Sequence, residues 1–486
     1  MRDSESGFEV PSDEYLYMMD KWELPLALMG GLEAMRAAGT AYLPKEPRES
    51  KEAYKVRLMR TNLYNVFRKT ITSSSGQALR QPLVIKNVPD ELKFLRHNAT
   101  GDGRSIMELA DDLIQHHLLF GKAHLTVDFP SQMPENISYA EYKEAGYRPY
   151  FTVVSPISLV GWDYNTRLGY PVLDNIRIVE NEIVKNPENH WLSMDRKMVK
   201  IWYNTHIEVY RYNLEDDEWD EEPEIIPNTL GTIPLVTGYA NKKGFMISEP
   251  PLEDLANVNL THWQSSSDQR NILHIARVPF ILASGFQSGE LSGLEIGTNR
   301  VVTTTSSEAD MKYVEHTGAS IEAGNRDLAD LESQMRVLGA ELIMGKSTDR
   351  QTATAREIDQ AEALSLMQLT IRSTARIIEQ AYAFAGAWLG VDASSVEVEV
   401  GQATPQEPNP TNAMSSLKEL NILTNEQFFD EMKRRGIISP DVDYDEKTIM
   451  EQRVKMAEMM AITNKMSNPE PEKTEEDSEE KNGGRG

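Results

Sequence analysis

The sequence predicts an α+β protein, and three observations carry that prediction. Residues 150–245 are a succession of short segments with apolar–polar alternation, divided by turn residues, as antiparallel strands require. Apolar residues recur at three- and four-residue steps over 50–71, 105–120, 252–278 and 325–389, as helices with one buried face require. Capping boxes at Ser105–Glu108, Thr354–Glu357 and Thr424–Gln427 mark helix starts, because each pairs two side chains with backbone N–H groups that the first turn leaves free.

In residues 1–49 the apolar side chains are scattered, which predicts an irregular N-terminal segment; its polar, acidic start lacks the pattern of a signal peptide. Val56, Met59, Leu63, Val66, Phe67 and Ile71 then form the inner face of one helix from Ser50 that stops at Ser73–Gly76. Its outer face carries Lys51, Lys55, Arg57, Arg60, Arg68 and Lys69, a basic stripe that is either solvated or set against an acidic partner or DNA. A helix from Ser105 ends at Phe120, with Gly121 as its left-handed stop. LTVDF follows as a strand with Leu125, Val127 and Phe129 on one side. YFTVV, LVGW, IRIV, KIWY and HIEVYRY supply the antiparallel sheet, and Glu215–Glu224 reads as a solvated acidic loop.

After Pro250-Pro251, the residues Leu252, Leu255, Asn259, Trp263, Ser266, Arg270 and Ile275 describe a helix of about 27 residues, roughly 40 Å long, stopped by Pro279. Its middle, QSSSDQRN, is polar nearly all round. Such a helix is poorly stable alone, and suits either several copies standing side by side or a span between domains. Residues 280–302 are short and Gly-rich, and Met311–Val314 reads as a strand. Asn325 is the predicted N-cap of a helix to Met344, with Gly345 as its stop. The Thr354 box launches a helix of about 52 Å that ends near Gly390, with Ile358, Leu364, Met367, Ile371, Ile378, Tyr382, Ala385 and Trp388 on its apolar face. VEVEV (396–400) is a strand, PQEPNP (405–410) a linker, and an all-α unit with an acidic tail closes the chain.

Between those two helices stands GKS (345–347), the end of a phosphate-binding loop by its letters. The pattern G-x-x-x-x-G-K-[ST] needs a glycine where Ala340 stands, and it follows a strand. Here the preceding residues have helical spacing, and a polar stretch separates Lys346 from the next helix N-terminus. The connection is not a nucleotide site. Strong punctuation on both sides makes it a projecting connection rather than a broken helix.

Composition narrows the function further. The net charge of −26 excludes a broad grip on nucleic acid, which depends on Lys and Arg neutralising phosphates; it permits a protein that surrounds DNA and lets it pass. The absence of cysteine excludes disulfides and thiolate sites. No run of eighteen apolar residues predicts a membrane span. H-E-x-x-H, G-x-S-x-G and G-x-G-x-x-G are all absent, and the adjacent His116 and His117 cannot share a metal as an i, i+4 pair does. No enzyme activity, cofactor or metal is expected.

YKVRLMRTNLYNVFRKTI (54–71), PPLEDLANVNLTHWQSSSDQRNILHIARVPFILASGF (250–286), YVEHTGASIEAGNRDLADLESQMRVLGAELI (313–343) and ELNILTNEQFFDEMKRRGIISPDVDYD (419–445) follow one another in an order that resembles the portal proteins of tailed bacteriophages, the head–tail connectors. The resemblance implies a homo-dodecameric ring at one capsid vertex of the virion, assembled in the host cytoplasm, with a channel for double-stranded DNA. It implies a wing from 50–249 and 303–403, a stem helix at 250–279, a clip at 280–302, a crown at 404–465 and a disordered acidic tail at 466–486. LSGLEIGTNR is too short and Gly-rich for the second stem helix that many portals carry. The connection at 345–353 then resembles the tunnel loop that enters the channel ahead of the long helix 354–389. Lys346, Ser347, Thr348, Asp349, Arg350, Gln351 and Thr352 would touch DNA there, and Trp263, Asp268 and Arg270 would meet neighbouring subunits, with Trp263 equally able to be core. The implied partners are the terminase large subunit, a head–tail adaptor, and the major capsid and scaffolding proteins. Another phage structural component, an adaptor or minor capsid protein without DNA passage, is the competing reading.

Overall fold

Helices and antiparallel sheets share the chain in the mixed α and β arrangement that the patterning predicts. The computed structural model describes residues 7–80, 83–129, 147–167, 169–186, 189–214, 217–277, 280–286, 308–314, 318–340 and 353–399, with Gln427. All but Gln427 lie in the first of two compact units, Met1–Thr404; the second is Pro405–Gly486. The predicted crown and tail, most of the clip and residues Lys346–Thr352 of the predicted tunnel loop therefore lie outside the described residues.

The N-terminal segment is not irregular. Helix α1 (Asp13–Ala38) starts at Ser12, whose hydroxyl accepts from the Tyr15 N–H at 3.2 Å, with Asp13 and Glu14 in the positively polarised first turn. Tyr15, Met18, Trp22, Leu28 and Met35 turn inward. Pro25 inside the helix and Gly31 at φ 78° interrupt its regularity, which is why the sequence pattern hides it.

The single helix expected over 50–71 is two. Helix α2 (Lys51–Arg60) ends at Thr61, which is extended (φ −66°, ψ 135°), and α3 (Val66–Ala78) restarts at Asn65, whose side chain accepts from Arg68 N–H and donates to Leu28 O. The break rotates the first part. Val56 and Met59, expected inside, are exposed, and Arg57, expected on the solvated stripe, is buried. Helix α3 continues through the expected SSSG stop because Ser74 and Ser75 are buried, with the Ser75 hydroxyl donating to Asp111.

Strand β1 (Val84–Lys86) leads to α4 (Ile106–Phe120), which has the predicted capping box at Ser105 and the predicted left-handed Gly121, φ 77°. A Cβ on Gly121 would stand 2.0 Å from Glu249 O, so backbone approach as well as φ demands glycine. Strand β2 (Lys122–Asp128) lies between β3 (Tyr150–Val154) and β10 (Leu235–Tyr239), both antiparallel to it. It is not the one-sided strand expected. Lys122, Ala123, His124, Leu125 and Val127 are all inside, because a strand central in its sheet and covered by helices buries both faces.

A six-stranded antiparallel sheet follows the order β4 (Leu159–Asn165), β5 (Val172–Lys185), β6 (Ser193–Tyr203), β7 (His206–Asn213), β8 (Glu218–Trp219), with β9 (Glu224–Pro227) also paired to β7. Part of the acidic segment expected as a solvated loop is therefore sheet: Trp219 packs edge-on to Phe8 at 5.4 Å and Tyr212 at 5.3 Å. A small pair, β11 (Lys242–Gly244) with β12 (Ile247–Ser248), precedes helix α5 (Glu253–Ala276). Strands β13 (Phe280–Ser284) and β14 (Asp310–Val314) form an antiparallel ribbon. Helix α6 (Ala319–Met335) passes into a π-helical turn at Arg336–Ala340, and α7 (Ala353–Leu389) is followed by β15 (Glu397–Glu399), which pairs with β1. Asn325 is inside α6, not its cap; the helix opens after Gly318, φ 78°. One core cluster joins α1, α3 and α5 with the six-stranded sheet, and a second joins α4, the three-stranded sheet and α7.

Candidate functional site

The polar middle of α5 suits either neighbouring copies or a span between domains. It finds its partners inside the chain. Asn259, His262, Ser266, Ser267 and Gln269 recur at helical steps on one face, alternating with Leu255, Ala256 and Trp263, and all are buried. The Asn259 amide is held on both sides: its oxygen accepts from Phe67 N–H in the first turn of α3 at 3.0 Å, and its nitrogen donates to Tyr64 O in the break between α2 and α3 at 3.1 Å. Gln264 donates to Tyr42 O at 2.9 Å. Gln269 donates to Ile321 O at 2.9 Å and to Asn325 Oδ1 at 3.0 Å, which ties α5 to α6. The seam satisfies backbone groups that an interrupted helix pair would otherwise leave unpaired.

Arg57 is the charged centre of this seam. Its guanidinium donates to both oxygens of Glu49, each at 2.9 Å, to Pro44 O at 2.7 Å and to Ser267 Oγ at 3.3 Å. Thr61 Oγ1 donates to Arg57 O and lies 3.0 Å from Ser267 Oγ. Arg57 is 5% and Glu49 11% exposed, so the pair is shielded from solvent. Their fork-to-fork hydrogen bonds hold the Glu49 carboxyl below its ordinary range and the Arg57 guanidinium above its own.

The three predicted subunit-contact residues separate. Trp263 is wholly buried and takes its place in the core. Asp268 and Arg270 are exposed on α5; partial desolvation raises the Asp268 carboxyl, with Arg57 nearby opposing the shift. The residues predicted for the channel, Lys346 to Thr352, are outside the described region, in the connection between the π-turn and α7. Before it, Met335 is buried and the π-turn is so close to its neighbours that a Cβ on Gly339 would stand 2.6 Å from Leu255 Cδ2 on α5 and 3.1 Å from Thr70 Oγ1 on α3. After it, Thr370, Thr374, Ile377, Ile378, Ala381, Tyr382 and Ala385 bury one face of α7. A helix that changes to π-geometry just before such a connection is a form often found at working sites.

A second constellation escaped the sequence pattern. His117 on α4 is wholly buried; its Nδ1–H donates to Leu113 O at 2.8 Å, so its Nε2 accepts from the Ser373 hydroxyl of α7 at 2.9 Å. His124 on β2 bonds Thr237 Oγ1 on β10 at 2.9 Å. Lys122 donates to Met246 O at 2.9 Å, with its ammonium 5.3 Å from the Trp22 ring and 5.1 Å from the Trp162 ring. Burial pushes His117 down to about 3, Lys122 down to about 7, and His124 well below its ordinary range. The available signal was a lysine and a histidine beside Ala123, Leu125 and Val127 in one strand. Among the described residues no group of three or more His, Cys, Asp or Glu is placed to hold a metal, and no helix is long and apolar enough to cross a membrane.

The family model that matches the chain is described as a domain of unknown function, DUF4055, and covers residues 251–389, from α5 to the end of α7. No curated protein matches. Among solved structures, the chain is similar to one from the virion of a native gene transfer agent particle, with TM-score 0.40 and 15% identity over 82% of this chain and 98% of that one. It is also similar to one from the neck of the native particle computed with C12 symmetry (TM-score 0.39, 13% identity, 81% and 96% covered). A third is from the neck of the empty particle computed with C6 symmetry (TM-score 0.41, 15% identity, 82% and 98% covered).

Proposed function

We propose that the chain is the subunit of a phage-type portal, a closed ring through which double-stranded DNA enters and leaves a capsid. One observation carries the reading: the order of elements across residues 253–389. A 24-residue helix, α5, leads into the paired ribbon β13–β14, then α6, a connection of polar sequence, and the 37-residue α7. This is the order that the portal resemblance implies for the stem, the start of the clip at β13, the second part of the wing with β14 and α6, the tunnel loop and the long wing helix. In this reading Lys346, Ser347, Thr348, Arg350, Gln351 and Thr352 make weak phosphate contacts that position DNA without reading its sequence. Asp349 and the chain's net charge of −26 keep those contacts from becoming a grip. The subunit spends no nucleotide; a separate terminase motor supplies the energy, and the assembled ring seats the head–tail adaptor.

Electron microscopy of the purified full-length protein tests this directly. The expected result is a ring, twelve-fold as the resemblance implies, with a central hole that admits a duplex. A discrete monomer or dimer at all concentrations overturns the reading and favours an adaptor or minor capsid component. Deleting Lys346–Gln351 is expected to leave rings intact and impair DNA packaging or retention. Normal packaging and infectivity would remove the assigned role of that connection.

A further inference from the structure

The break between α2 and α3 has an effect on the molecular surface. With Arg57 drawn inward, the outer side of α2 and the start of α3 present Lys51, Lys55, Arg60, Arg68 and Lys69, all exposed and none in an ion pair among the described residues. Elsewhere lysines and arginines such as Lys21, Lys86, Arg104, Arg196, Lys200 and Arg211 are paired within the chain. Glu52 is the one acid on the outer side of α2. Among the free cations lie Val56, 46% exposed, Met59, 63%, and Tyr64, 47%. An apolar centre with a charged rim is the anatomy of a protein interface, and solvation or phosphate binding explains only the rim.

The complementary surface is at the β8–β9 edge of the six-stranded sheet. Glu218, Asp220, Glu221 and Glu222 are exposed there without an ion pair among the described residues. Ile225 is 63% and Leu214 39% exposed beside them. The edge is held in shape from behind: Trp219 packs on Phe8 and Tyr212, and Arg211 holds Glu224 at 2.8 Å. One surface is cationic around an apolar centre and the other is anionic around an apolar centre. They belong to different elements of one chain, and no ion pair among the described residues joins them.

We propose that these two surfaces are partners between copies of this chain: the α2–α3 face of one subunit receives the β8–β9 edge of the next. The occupant is a second copy and not DNA, because a phosphate backbone has no use for Met59 and Val56, whereas Ile225 and Leu214 do. Two different patches on each subunit make the contact head-to-tail, and head-to-tail contacts close rings or run on as filaments. The inference rests on the ring reading and supplies it with an interface.

The test uses full-length protein in two charge-reversed variants, Lys55→Glu with Arg60→Glu and Glu221→Lys with Glu222→Lys, followed by sedimentation velocity and electron microscopy. Each pair alone is expected to raise the concentration needed for assembly about tenfold or more, since like charges then face each other. All four substitutions in one chain, or an equal mixture of the two variants, restore assembly, because opposite charges meet again. Raising salt weakens assembly of the wild type. Reversals that leave assembly unchanged, or losses that the four-fold swap fails to rescue, overturn this interface while the wild-type ring still stands. Intact assembly with weakened binding of a random-sequence duplex would reassign the α2–α3 face to nucleic acid and overturn it too. A wild type that never assembles overturns the ring reading itself.

Discussion

Arg57→Met isolates the charged centre of the α5 seam. The substitution keeps an unbranched side chain of similar reach and removes four hydrogen bonds, two of them to Glu49. What it leaves behind decides the magnitude. Glu49 is 11% exposed and retains one backbone donor, Glu46 N–H at 3.2 Å, so its carboxylate is stranded in a poorly solvated place. Stranding one partner of a shielded pair costs about 3–5 kcal/mol, and residual exposure of Glu49 puts the expected value near the lower figure, about 3 kcal/mol. Glu49→Met with Arg57→Met removes the unpaired charge, and its cost should fall to about 1–2 kcal/mol, the share due to Pro44 O and Ser267 losing their donor. Urea denaturation of the two variants and of Glu49→Met, followed by fluorescence, completes the double-mutant cycle. A cost below about 1 kcal/mol for Arg57→Met, or a double variant no better than the single, would show that the pair is effectively solvated. Either result would refute the account of why α2 turns as it does.

Gly121→Ala is expected to cost more than the ~1–2 kcal/mol of a left-handed alanine, since its Cβ would stand 2.0 Å from Glu249 O; Gly390→Ala, at φ 67° with open space around it, should cost only that smaller amount, and equal losses in denaturation midpoint would refute the crowding argument. Lys122 has its folded-state value lowered by burial to about 7 from an ordinary 10.5. Between those values the unfolded chain binds more protons than the folded one, so stability rises with pH across the window and is lost as pH falls to 7. The difference in unfolding free energy between wild type and Lys122→Met should therefore shift in favour of the wild type from pH 7 to 9.5, and parallel pH profiles would contradict it.

The architecture was legible where local chemistry and packing agree. The Ser105 box with Gly121, the antiparallel strands of 150–245, the extent of α7 and the strand at Met311–Val314 all appear where patterning puts them. The failures share a cause: tertiary contacts that the local pattern does not contain. Helix α1 carries Pro25 and a left-handed Gly31, which the packing of Trp22 and Leu28 tolerates. The break at Thr61–Asn65 is stabilised by Asn259, nearly two hundred residues away in sequence, so no window around residue 60 could reveal it. Strand β2 buries Lys122 and His124 because Met246, Trp22, Trp162 and Thr237 receive them. For the candidate site, the sequence pattern set Arg270 on the same stripe as Leu255 and Trp263, yet Arg270 is exposed beside Asp268, and the inward position of Trp263 depended on what covered it.

The α5 seam changes what a polar helix implies about assembly. An all-round polar helix in a sequence invites the idea that neighbouring copies complete its hydrogen bonds. Here Asn259 and Gln264 are paired with the chain's own backbone, Ser267 with the Arg57 and Thr61 side chains, and Gln269 with α6, all within one subunit. Outside the seam α5 leaves Asp254, Asn257, Thr261, Asp268, Arg270, Asn271 and His274 exposed. Two consequences follow for a ring. The orientation of α5 against α2, α3 and α6 is fixed within the subunit, so in the proposed ring the angle at which copies meet would be set by the folded monomer. In the proposed ring, cohesion between copies would then come from surfaces left incomplete in the monomer, and the α2–α3 face and the β8–β9 edge carry exposed charges without an ion pair among the described residues. The same inward turn of Arg57 that completes the seam also leaves Lys55, Met59 and Arg60 facing out, which would couple the folding of the α5 seam to the making of the proposed interface.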